Sequence, residues 1–295
     1  MRKTSFPAAF AMSILAFAIC LFPGCYSKER PTGVDRWRAE DFYSDPKMLA
    51  LIDAVDQGNL TEIDRLIADG ANVNAIGKDG MTPLLWAGCK KNRASFLRLL
   101  EKGADPNIPI KDGSSVMSMT AASPQDTYWL ETVLQHGGNP NLVHPHNRST
   151  PLFEAVRSRK KENLQLIIKA GADLNWREYN GDTAMLHAAQ VNWFDSVYYL
   201  LEAGADYRIK GDLNCDLAEW TVTACPDPQH ELNKWRKKVA RFLEQKGIDL
   251  TPLKEKELAL RKKQAERWKS RGRPVPEGYL DLGLDGDEEP SKEGR

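Results

Sequence analysis

The sequence has little cysteine, no net charge and only one long apolar run. Five cysteines in 295 residues are too few for a disulfide-dense mini-scaffold. Lys plus Arg number 41 and Asp plus Glu also 41, so the formal charge is zero. That balance argues against nucleic acid or an anionic membrane surface as the main partner, because both select a basic excess. A nucleophile elbow, a P-loop, a dinucleotide fingerprint and a His-Glu-x-x-His zinc motif are all missing. The expectation is therefore a protein that is not an enzyme, with no catalytic residues, no cofactor and no metal. What is present is 41% hydrophobic and 28% charged residues, the composition of a globular chain with enough apolar mass for a core.

The one apolar run lies near the start. Arg2 and Lys3 precede Ala8 to Phe22, fifteen residues of which only Ser13 is polar. A helix crossing ~30 Å of hydrocarbon needs about 20 residues, so this stretch fits the apolar region of a signal peptide better than a membrane span. It ends in Phe22-Pro23-Gly24-Cys25, which resembles the lipobox of bacterial lipoproteins, although Phe22 and Pro23 depart from the usual residues. The resemblance implies cleavage between Gly24 and Cys25, removal of residues 1–24 and acylation of Cys25. Tyr26, rather than Asp, implies sorting to the outer membrane, facing the periplasm. An ordinary cleaved signal and an uncleaved anchor are the alternatives. Residues 25–45 read as a polar tether whose Trp37 and Phe42 are expected to dock on the first repeat.

The body repeats itself. Gly70-Ala71-Asn72-Val73-Asn74, Gly103-Ala104-Asp105-Pro106-Asn107 and Gly171-Ala172-Asp173-Leu174-Asn175 are copies of one phrase, with weaker copies at Gly137 and Gly204. The successive glycine spacings are 33, 34, 34 and 33. Thr82-Pro83-Leu84 and Thr150-Pro151-Leu152 recur upstream, and Thr183-Ala184-Met185 is a variant. This pattern resembles the ankyrin repeat over residues 46–252 and implies an all-α solenoid. Thr82 and Thr150 are expected as helix caps, with Pro83 and Pro151 in the first turn where no amide hydrogen is needed. Gly70, Gly103, Gly137, Gly171 and Gly204 are expected to end the second helices in the left-handed conformation.

Five clear repeats are predicted at 46–78, 79–111, 112–146, 147–179 and 180–212, followed by a degenerate C-terminal capping repeat at 213–252. The third departs through a Ser123-Pro124 insertion. Residues 253–276 read as an extra charged helix, with Leu253, Leu258, Leu260 and Trp268 for docking and Pro274 and Pro276 to stop it. Residues 277–295 hold seven acidic and two basic residues and read as a disordered acidic tail.

Few residues offer chemistry. His144 and His146 flank Pro145, with His136 nearby, and a metal would need a further converging ligand, so an exposed loop is the simpler reading. Cys215 and Cys225 are a disulfide candidate in an oxidising periplasm, two free thiols being the alternative. Cys89 reads as a thiol without redox duty.

The ankyrin resemblance implies protein binding through hairpin tips and the concave faces of the first helices. Carried onto this sequence, those positions include Asp56, Gln57, Met81, Lys90 and Ser114. The selected protein-binding set is Arg148, Arg157, Trp176, Arg177, Tyr179, Asp182 and Gln190, which has hot-spot composition. The alternative is that Trp176 and Tyr179 pack between adjacent hairpins. An anchored ankyrin lipoprotein resembles immunity proteins that neutralise periplasm-acting toxins, including phospholipases delivered by type VI secretion. The expected partner is then a secreted toxin or effector, with the membrane touched only through the lipid anchor and no nucleic acid bound. An ankyrin protein supporting envelope assembly or oxidative-stress defence is the alternative role.

Overall fold

The computed structural model describes residues 37–124, 126–211, 213–224 and 231–284. Gly24, Cys25 and Cys225 lie outside the described residues, and with them the signal cleavage, the lipidation and one half of the disulfide candidate. The described residues form helices and no strands. The helices come in pairs: α1 (Pro46–Gln57) with α2 (Leu60–Ala68), α3 (Pro83–Cys89) with α4 (Arg93–Glu101), and α5 (Val116–Ala121) with α6 (Tyr128–Gln135). There follow α7 (Pro151–Ser158) with α8 (Lys161–Lys169), α9 (Ala184–Gln190) with α10 (Phe194–Glu202), α11 (Leu217–Thr223) with α12 (Glu231–Gln245), and finally α13 (Thr251–Ser270). They divide into two compact units, residues 1–172 and 173–295.

Local chemistry sets the ends of each pair. Thr82 Oγ1 accepts the Leu85 amide at 3.1 Å and Thr183 Oγ1 that of Leu186 at 3.3 Å, each satisfying one orphan donor of a helix start. Thr150 also stands at a cap position, but its hydroxyl makes no capping bond, and Pro151 alone presets that first turn. Gly70, Gly103, Gly137, Gly171 and Gly204 all have φ between 87° and 96°, as expected of residues that close a helix left-handed.

In the first unit, α1 packs on α3, α2 on α4, α5 on α7 and α6 on α8. Ala54, Ala87 and Ala155 are buried and let the first helices approach, while Ile63, Phe96, Leu99, Leu130 and Ile167 fill the second-helix side. Each such large side chain contributes about 1.5–3 kcal/mol on leaving water. The insertion in the third repeat is held by Asn163, fully buried on α8, whose Nδ2 donates to the carbonyls of Ala121 at 3.1 Å and Ser123 at 2.6 Å. Trp37 and Phe42 reach past the first repeat to the second: their rings stand 6.4 and 5.8 Å from that of Trp86.

A ladder of asparagines joins successive repeats. Asn74 Nδ2 donates to the Gly103 carbonyl at 3.0 Å, while its Oδ1 accepts the Asp105 amide at 2.7 Å. Asn107 and Asn141 donate in the same way to Gly137 at 2.9 Å and Gly171 at 3.0 Å. In the second unit Asn175 Oδ1 accepts the Asp206 amide at 2.8 Å. The repeated phrase thus encodes an inter-repeat brace as well as a turn.

In the second unit, α9 packs on α11, α10 on α12, and α11 on α13. Two features differ from the sequence expectation. The charged helix starts at Thr251 and docks through Arg261 and Ala265, both buried, while Leu260 stays 55% exposed. It stops at Ser270, before Pro274, with Gly272 left-handed at φ 68°. Residues 277–284 lie against the second unit through hydrogen bonds to their backbone. Arg236, 1% exposed, donates to the carbonyls of Thr221 at 2.8 Å and of Leu282, and Asn233 donates to Gly283 at 3.1 Å. Buried guanidinium groups need acceptors, and the tail backbone supplies them.

Candidate functional site

The selected residues fall in both units, and most prove to be structural. In the first unit, Met81 is buried at 1% exposure, so it belongs to the core and not to a contact surface. Asp56 accepts the Trp86 indole N–H at 2.6 Å, and Lys90 Nζ lies 5.0 Å from the Trp86 ring centre. Gln57 bonds back to Asp53 at 2.7 Å, whereas Ser114 is half-buried. Arg157 donates to Glu154 at 2.7 Å, and Ser149 donates to the same carboxylate oxygen at 3.2 Å. Arg148 is exposed and occupies a left-handed position at φ 59°, where the other hairpins carry Gly80, Gly113 and Gly181.

His144 and His146 pack edge to face, with ring centres 5.7 Å apart, and His144 Nδ1 accepts the His146 amide at 3.3 Å. His136 Nδ1 is engaged with the Thr132 carbonyl at 2.8 Å. Among the described residues, no group of His, Cys, Asp and Glu converges to hold a metal ion.

The second unit builds a rigid pair of hairpin tips. Asp182 is only 5% exposed; its Oδ2 accepts Gln190 Nε2 at 2.7 Å and Asn180 Nδ2 at 3.1 Å. Gly211 of the next hairpin closes over it so tightly that a Cβ there would stand 1.9 Å from Asp182 Oδ1. Arg177 bridges the two hairpins by donating to the carbonyls of Gly181 at 2.8 Å and Lys210 at 3.0 Å. Asp182, Gln190 and Arg177 thus hold the loops, Asp182 from a buried position, Gln190 half-buried and Arg177 with its side chain still exposed.

What they hold up is apolar. Tyr179 is 80% exposed on one tip and Leu213 is 70% exposed on the next. Tyr179 therefore does not pack between hairpins, while Trp176 is half-buried. Leu213 is not legible in the sequence, where a lone leucine at the start of a degenerate repeat carries no signal of its exposure. Nearby, Cys215 is half-buried with Sγ 3.6 Å from the Leu213 carbonyl, and burial pushes its thiol above the ordinary value.

Comparison with known proteins bears on these features. Residues 118–211 match the family model for ankyrin repeats in three copies, and residues 79–111 match that of the single ankyrin repeat. Protein PhlB of Serratia liquefaciens is 35% identical over 144 residues, covering 49% of this chain and 63% of its own. The human mitochondrial disaggregase is 30% identical over 205 residues, covering 68% of this chain and 26% of its own. The chain therefore spans less than two thirds of the length of either relative. Among solved structures, the ankyrin repeat protein EF0377 superposes with a TM-score of 0.54 at 22% identity, over 65% of this chain and 96% of that one. An ankyrin repeat domain from Acinetobacter baumannii gives 0.52 at 23% identity, over 58% and 89%. These likenesses bear on the fold, a solenoid of helical hairpins.

Proposed function

Residues 79–111 and 118–211 are ankyrin repeats, a fold that generally serves as a non-catalytic protein-interaction scaffold, and from that premise we propose an envelope-anchored immunity protein. It binds a periplasm-acting secreted toxin of the phospholipase type and neutralises it by occluding the mouth of the toxin's active site. The observation that carries the binding part is the pair Tyr179 and Leu213, large apolar side chains exposed on successive tips that Arg177 and Asp182 hold rigid. Rigid aromatic anchors on an ordered frame lose little entropy on binding, which is what hot spots require. The resemblance of Phe22-Pro23-Gly24-Cys25 to a lipobox supports the envelope address.

The test is affinity capture from an envelope extract of the producing cells with the full chain as bait. One secreted effector is expected in equimolar amount, and Tyr179→Ala should weaken its capture by about 2 kcal/mol, roughly thirtyfold. Recovery of only housekeeping envelope proteins would sink the immunity reading. The anchor is tested separately by Cys25→Ser, which should abolish acyl labelling and release the protein from membranes.

A further inference from the structure

We propose that a surface pocket beside α13 is a binding site for a phosphomonoester. The pocket has a volume of about 350 Å³ and is lined by Glu257, Leu260, Arg261, Lys263, Arg267 and Tyr279. That volume lies at the lower end of what small-molecule sites occupy, roughly 300–1,000 Å³. It lies wholly within the second unit, and it is independent of the exposed hairpin tips.

The charge arrangement selects the ligand. Arg261 is 4% exposed, and its guanidinium is pinned by Glu257 at 2.9 Å and by the carbonyls of Tyr279 and Asp281, both at 3.2 Å. Its remaining nitrogen, Nη2, is buried and has no hydrogen-bond partner among the described residues. A buried charged donor left unsatisfied is costly, but Nη2 is fully covered, so Arg261 shapes the floor of the pocket while a ligand meets its more exposed cations. Glu257 offsets Arg261, so the pocket keeps the charges of Lys263 and Arg267, neither of which makes an ion pair among the described residues. Those two stand four residues apart, on neighbouring turns of the same helix face.

Two cations without an ion pair among the described residues match a phosphomonoester, which carries about −1.5 to −2 at neutral pH, better than a single carboxylate. The pocket also exceeds what a bare phosphate fills, and Leu260 and Tyr279 add apolar surface to a lining that also includes Gln264. Leu260 and the Tyr279 ring, itself braced by Trp268 at 4.8 Å, face the space that an organic group on the ester would take. The same chemistry is available from a soluble phosphate ester or from phosphatidate in a bilayer.

The full chain is titrated calorimetrically with glycerol 3-phosphate, and in a second arm is sedimented with phosphatidylcholine vesicles with and without phosphatidate, the plain vesicles giving the baseline. Lys263→Gln and Arg267→Gln should each weaken binding at least tenfold, whereas Lys262→Gln, on the exposed side of α13 and outside the pocket, should leave it unchanged. Binding in the first arm with that pattern supports a soluble ester. The same pattern in the vesicle arm alone supports phosphatidate as the source. No binding in either arm at millimolar ligand, or equal loss in all three variants, overturns the proposal and leaves only diffuse charge.

Discussion

Asn107 is bonded to Asn139 across a full repeat: its Oδ1 accepts the Asn139 amide at 2.8 Å while its Nδ2 donates to the Gly137 carbonyl at 2.9 Å. One side chain thereby satisfies both a donor and an acceptor at the end of the next second helix. Replacing it by alanine removes three hydrogen bonds, a local one to Asp105 Oδ1 at 2.9 Å and the two across the repeat, the latter each of net worth ~0.5–1.5 kcal/mol. Asn107→Ala should therefore lower the unfolding free energy by about 1–2 kcal/mol, read from the urea midpoint at unchanged slope. Asn107→Asp keeps the Oδ1 bond but sets a carboxylate oxygen against the Gly137 carbonyl, and should be at least as damaging as alanine. Equal stability of both variants and wild type would show that the brace is idle.

The contact of Gly211 with Asp182 makes a sharper test. A Cβ at Gly211 meets Asp182 Oδ1 at 1.9 Å, so the hairpin must shift if a methyl is added. Gly211→Ala should cost about 1–3 kcal/mol, as overpacking does. Asp182→Ala is destabilising too, through loss of the bonds from Gln190 and Asn180. The two changes act on one contact, so the double variant should be no less stable than Asp182→Ala alone, within about 0.5 kcal/mol. Simple additivity of the two losses would place the cost of Gly211→Ala somewhere other than this clash.

These two contacts also mark what the sequence can and cannot convey. The repeat period, the helix-closing glycines and the Thr82 cap are legible because they act within a few residues of themselves. The asparagines of the repeated phrase are visible, but their partners sit one repeat away, so their role as rungs is not. Asp182, Gln190 and Arg177 read as a polar binding frame; in the structure the next hairpin lies over Asp182, and Arg177 donates to backbone carbonyls. The basic segment on α13 reads as a solvated face, and nothing local distinguishes Arg261, which is buried against the tail, from its exposed neighbours Lys262 and Lys263. Tyr179, at a hairpin tip, is 80% exposed among the described residues, as its polar surroundings in the sequence suggest.

Arg148 is a prediction in the stabilising direction. It is held at φ 59°, where Gly80, Gly113 and Gly181 stand at 87°, 91° and 76° in the matching turns. A side chain in the left-handed region costs ~1–2 kcal/mol that glycine avoids, partly offset by the larger entropy glycine loses on folding. Arg148→Gly should thus leave stability unchanged or raise it by up to about 1 kcal/mol in thermal or urea unfolding. A fall of more than about 1 kcal/mol would mean that the arginine side chain contributes more than its backbone conformation costs.

His144 makes the first unit sensitive to mild acid. Burial, then the neighbouring His146, holds its imidazole below the ordinary value of 6.5, against the weaker opposing pull of Glu154 and Asp112. The burial has a visible source: His144 Cε1 and Pro145 lie where any Cβ on Gly113 would be, 2.8–2.9 Å away. The folded state therefore binds this proton less readily than the unfolded chain, whose histidine titrates at its ordinary value. By linkage, stability is full above that value and is lost as the pH falls through it toward the lowered folded-state value. Urea midpoints measured from about pH 7.5 down to about 5 should fall, and His144→Gln, which cannot be protonated, should flatten the part of the slope that His144 contributes. A slope that is identical in wild type and His144→Gln would assign the acid sensitivity to other groups.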